Sequence, residues 1–83
     1  MKKVKIRFYS NYHKSYYHYR ICPNFLDTGY RVFLGKESDD NRYTCNDKIF
    51  ETEEAAINHY VNLVNGLINK GLASDMTLTI NEE

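Results

Sequence analysis

The stretch from Thr52 to Gly71 most narrows what this chain can become. Its apolar residues Ile57, Tyr60, Val61, Val64, Leu67 and Ile68 recur at three- and four-residue steps, while Asn58, Asn62, Asn65 and Asn69 fall on the opposite face. That is the stripe of one amphipathic helix. Thr52 supplies an N-cap hydroxyl, Glu53 and Glu54 meet the positive end of the helix dipole, and Gly71 offers a left-handed stop after Lys70. The remaining periodic segments alternate by two, so a chain of 83 residues must combine one helix with several strands.

Val4, Ile6 and Phe8 alternate with Lys3, Lys5, Arg7 and Tyr9, which predicts a half-buried first strand over Val4–Phe8. A second strand is predicted over Tyr16–Cys22, stopped by Pro23-Asn24, and a third over Tyr30–Leu34 after the turn signal Asp27-Thr28-Gly29. The polar window Gly35–Asn41 reads as a loop or hairpin tip. A short fourth strand is expected over Arg42–Cys45, resuming at Lys48–Phe50 after an Asn46-Asp47 turn. Met76-Thr77-Leu78-Thr79-Ile80 predicts a last strand with Met76, Leu78 and Ile80 facing the core, and Asn81–Glu83 should fray. The sum is an α+β fold: a small, mostly antiparallel sheet of four or five strands with one amphipathic helix packed on one face. It is expected to form a single domain over 1–83, ordered over 3–80.

A helix about 10–12 Å wide covers one face of such a sheet, so the other face meets solvent or a partner. With the aliphatic rows turned to the helix, the open face carries Lys3, Lys5, Arg7 and Tyr9, then Tyr16, His18 and Arg20, then Arg31 and Phe33. A one-residue slip in the second strand would instead expose Tyr17 and Tyr19. Cations interleaved with aromatic rings suit nucleic acid, because cations neutralise phosphates and rings stack on bases. The net charge of zero hides a segregation. Residues 1–36 hold eight cations against Asp27 alone, a balance of +7, and residues 37–83 hold three cations against ten carboxylates, a balance of −7. Tyrosines that pack on a small sheet and lysines that guard its edges give the same pattern without any partner.

The sequence therefore predicts a non-enzymatic binding module that engages nucleic acid or a nucleoprotein through Lys5, Arg7, Tyr9, Tyr16, His18, Arg20, Arg31 and Phe33. The alternative is a protein inhibitor or adaptor that binds a partner by its Tyr-rich face or by its acidic half, Glu37 to Glu54, with Glu37, Asp39 and Asp40 as acidic contacts to a basic partner. A homodimer that pairs two open faces is a third reading. No window reaches the ~18 apolar residues of a membrane span, and MKKVKIRFYS has no apolar core of a leader, so a cytoplasmic protein without membrane contact is expected. Cys22 and Cys45 read as reduced thiols. His13, His18, Cys22, Cys45 and His59 form no tight ligand pair and no glycine-rich phosphate loop occurs, so neither metal, cofactor nor catalysis is expected.

Tyr30-Arg31-Val32-Phe33-Leu34 and Ile49-Phe50-Glu51-Thr52-Glu53-Glu54-Ala55-Ala56 resemble the strand and the strand-to-helix junction of the arm-type DNA-binding domains of phage integrases. The resemblance spans residues 30–68. It implies a three-stranded sheet that lies in the major groove with a helix behind it. That family carries basic residues on its last strand, where this chain has Asp47 and Glu51. In size and segregated charge the chain is also similar to small inhibitors encoded by phages and mobile elements, including anti-CRISPR and antirestriction proteins.

Overall fold

The computed structural model describes residues 2–24, 28–45 and 48–82, with side chains for 4–24, 28–39, 43–45 and 48–81. Its strands are β1 (Lys2–Ser10), β2 (Ser15–Pro23), β3 (Tyr30–Lys36), β4 (Asp39–Cys45) and β5 (Ala73–Glu82), with helix α1 (Glu53–Asn69) between β4 and β5. All pairings are antiparallel, in the order β4-β3-β2-β1-β5. The fold is thus α+β, with five strands in one sheet and one helix packed on it. Among the described residues no helix is long and apolar enough to cross a membrane.

The period-two rows meet the helix as their alternation predicts. Val4, Ile6 and Phe8 of β1, Ile21 of β2 and Val32 of β3 are buried against Ala56, Tyr60 and Val64 of α1. Tyr17 and Tyr19 lie in this layer too, half-buried, which settles the register of β2. Tyr60 is 1% exposed, with its ring centroid 4.5 Å from that of Tyr19 and 5.8 Å from that of Phe50. Phe50 reaches this core because its backbone pairs with Tyr30 just before the helix begins.

Both helix ends follow from the residues at them. The Ala55 amide donates to Thr52 Oγ1 at 3.1 Å. At the other end Gly71 has φ +74°, and the amides of Gly71 and Leu72 donate to the carbonyls of Ile68 and Leu67. These two reverse hydrogen bonds satisfy carbonyls that the helix would otherwise leave open, and only glycine takes that φ without strain. The exit is then tied to the β1–β2 turn, where Asn11 donates from its backbone to Leu72 and from its side chain to Gly71.

Four expectations change, the first being that the strand expected to resume over Lys48–Phe50 is a single antiparallel bridge from Phe50 to Tyr30. The window 35–41 is mostly strand, since Gly35 and Lys36 end β3, β4 begins at Asp39, and only Glu37-Ser38 turn. The Asn46-Asp47 turn lies outside the described residues, as does the Phe25–Asp27 approach to β3. On β5, Asn81 and Glu82 pair with Lys3 and Lys2 instead of fraying. Leu78 and Ile80 stand on the helix side, opposite Ile6 and Val4, yet remain 42% and 48% exposed while those partners are fully buried. Five strands span about 19 Å between outer axes, which one helix of about 10–12 Å does not cover.

Replacing Thr52 with Ala removes the cap acceptor and should cost ~1 kcal/mol. Thermal unfolding should register this as a melting temperature roughly 4–8 °C lower for a domain of this size.

Candidate functional site on the helix-free face

Antiparallel register lines the other face into rows that cross the whole sheet. One row runs Thr77, Arg7, His18, Gly35 and Tyr43, and the next runs Thr79, Lys5, Arg20, Phe33 and Cys45, each from β5 to β4. Lys5, Arg7, Tyr9, Tyr16, Arg20, Arg31 and Phe33 are all half-buried here, so the structure gathers the sequence-predicted residues on one surface. The side chains of Lys3 and Asp40 lie outside the described set.

His18 departs from its expected role as an exposed contact, because it is only 1% exposed. Its Nδ1 lies 3.2 Å from Glu37 Oε1 and its Nε2 3.2 Å from the Tyr43 hydroxyl. A carboxylate only accepts, so Nδ1 carries the proton and the neutral ring accepts from Tyr43 at Nε2. Burial, then the nearby charge of Lys5, lowers the His18 pKa below its ordinary 6.5, and Arg20 adds to this while Glu37 opposes it. The imidazole is a buried strut of the face.

Two residues make the strut possible. Gly35 stands between His18 and Tyr43 in the row, and a Cβ there would lie 2.5 Å from Tyr43 Cε1 and 3.1 Å from His18 Nε2. The missing side chain is the space into which Tyr43 leans. Glu37 belongs by sequence to the acidic half, yet it folds back from the β3–β4 turn onto the basic face and meets Arg7 Nε at 3.4 Å. Glu37 is therefore engaged with Arg7 and His18 on this face. Sequence reading missed Gly35, Tyr43 and this use of Glu37. The available signal was an isolated glycine inside a strand pattern, which marks close approach by a neighbour.

Two of the cations, Arg7 and Arg20, sit over rings. Arg7 Cζ sits 3.7 Å from the centroid of Tyr16, whose ring packs edge-on against Tyr9 at 5.0 Å. Arg20 Cζ sits 5.4 Å from the centroid of Tyr43. Guanidinium groups over aromatic faces keep their charge and lose freedom. Between β5, β1 and β2 lies a concavity of about 470 Å³, lined by Val4, Lys5, Arg7, Arg20, Glu37, Thr79 and Asn81. Three cations face one carboxylate in it, with the hydroxyl of Thr79 and the amide of Asn81 at its β5 side. Arg31 stands apart, its Nη1 3.6 Å from Cys45 Sγ.

Cys22 and Cys45 form no disulfide with each other, since β3 separates their strands by about 10 Å, too far for one. Burial pushes the Cys22 thiol up, which disfavours the reactive thiolate. Among the described residues no three His, Cys, Asp or Glu side chains converge as metal ligands. No family model, curated protein or solved structure matches the chain.

Gly35→Ala should push Tyr43 off His18 and destabilise the fold by about 1–3 kcal/mol, read from denaturant unfolding. Because the folded state lowers the His18 pKa, the unfolded chain takes up the proton first. The stability held by neutral His18 is complete above pH 6.5 and is lost as pH falls from there through the lower folded value. Melting curves should show that loss in the native chain and a flatter pH dependence in His18→Gln.

Proposed function

We propose that the helix-free face is a non-enzymatic binding surface for nucleic acid or a nucleoprotein. The observation that carries this reading is the convergence of Lys5, Arg7 and Arg20 on one concavity, with Thr79 and Asn81 as neutral hydrogen-bonding walls. A phosphate group suits such a site, since it takes charge from three cations and accepts hydrogen bonds from guanidinium, hydroxyl and amide donors. Glu37 repels a phosphate at one rim, which favours a position toward Lys5, Arg20 and Asn81. Tyr9, Tyr16 and Phe33 flank the cations with ring faces or edges for bases or sugars, and Arg31 extends the charge along β3. Tyr16 and Glu37 hold Arg7 before any partner arrives, so less side-chain entropy is lost on binding.

The test is binding of labelled DNA and RNA across a salt series. Affinity should fall steeply as salt rises, and Arg7→Ala with Arg20→Ala should abolish the gel shift or flatten the logarithmic salt slope by about 2. Retention of full binding by the double variant would overturn the reading. Indifference to DNA and RNA at low salt, with a protein co-purifying, would favour a protein inhibitor instead.

A further inference from the structure

The two edges of the sheet are unlike. β4 carries Asp39, Asp40 and Arg42 along its seven residues, and charges of this kind block pairing with another strand. β5 has ten residues, lies against β1 on one side only, and is uncharged from Met76 to Asn81. Its helix-side row is Met76, Leu78 and Ile80, of which Leu78 and Ile80 are 42% and 48% exposed. Asp75, at φ +55°, marks a bulge near the start of the strand, and from Thr77 to Glu82 the pairing with β1 is regular. A long, regular, uncharged edge with exposed apolar side chains is a template for strand pairing.

We infer that β5 pairs antiparallel with β5 of a second copy of this chain, about a two-fold axis through Leu78. The strand is self-complementary in that register. Leu78 meets its own copy, Met76 meets Ile80, Thr77 meets Thr79, and Asp75 meets Asn81, so apolar residues face apolar ones and no like charges are opposed. Shifting the axis to Thr79 sets Met76 against Glu82, and shifting it to Thr77 sets Ile80 against Ser74. The axis through Leu78 alone keeps the whole apolar row against itself.

Pairing of this kind is closed, because the same edge is used by both copies and the charged β4 edges are left outermost. It satisfies the open backbone donors and acceptors of β5 and covers the part of the helix-side face that one helix leaves bare. It also makes one ten-stranded sheet, with two helices on one side and two basic concavities on the other, each bordered by Thr79 and Asn81 near the axis. The pairing stands independently of what the basic face binds.

Sedimentation or light scattering of the full chain should give twice the 9.8 kDa monomer mass at high concentration. Leu78→Lys with Ile80→Lys should return it to monomer with an unchanged circular dichroism spectrum, because both side chains are already exposed. Mild oxidation should cross-link Leu78→Cys as a dimer but not Thr77→Cys, with the native chain as control for Cys22 and Cys45. A native chain that stays monomeric throughout overturns the inference. So does a dimer that persists in the double lysine variant, or cross-linking at Thr77 rather than Leu78.

Discussion

One helix of 17 residues has to shield a sheet of five strands, and the rest of the molecule follows from how it does so. The chain leaves β4 at one edge, crosses the face as α1 and adds β5 at the opposite edge. That crossing lays Ala56, Tyr60 and Val64 over Val4, Ile6, Ile21 and Val32, all of them at most 2% exposed. Full coverage of the centre leaves partial coverage at the far edge, where Leu78 and Ile80 stay bare. The capping hydroxyl of Thr52 and the left-handed Gly71 matter because they set where the crossing begins and where β5 can start.

The second face has no helix and is organised by polar contacts instead. A buried imidazole without partners would cost the fold a few kcal/mol, so His18 is tolerated only because Glu37 and Tyr43 occupy both ring nitrogens. Glu37 in turn braces Arg7, Tyr16 lies under Arg7 and Tyr43 under Arg20. Arg7 and Arg20 are therefore not independent surface charges. They form the roof of a network whose floor is His18 and whose clearance is the missing Cβ of Gly35.

Much of the fold was legible in the residues. The stripe of α1, its two caps and the faces of β1 and β3 follow from spacing, whereas the aromatic residues on both sides of β2 left its face to the structure. Two features were legible only in part. The polar run from Gly35 to Asn41, read as a loop or hairpin tip, does hold the tip at Glu37-Ser38, but its strand residues were hidden because an edge strand needs little apolar content. Glu37, counted in the acidic half, braces the basic face, since charge counted along the chain does not say where a two-residue turn will aim its side chains. His18 was assigned to the correct face by alternation, but its burial depends on Tyr43, 25 residues away and two strands over.

The sequence by itself determined which elements form and which side of each strand is apolar, since periodicity is a property of neighbours in the chain. Only the tertiary structure decided the strand order, with β5 beside β1 and β4 at the other rim. That order brings Lys5, Arg7 and Arg20 together with Thr79, Asn81 and Glu37, and it leaves the apolar row of β5 at an open edge. Adjacency across strands depends on which edge receives the strand after the helix. The physical reason it is settled in three dimensions is burial, because α1 reaches the central rows of the sheet only by crossing it.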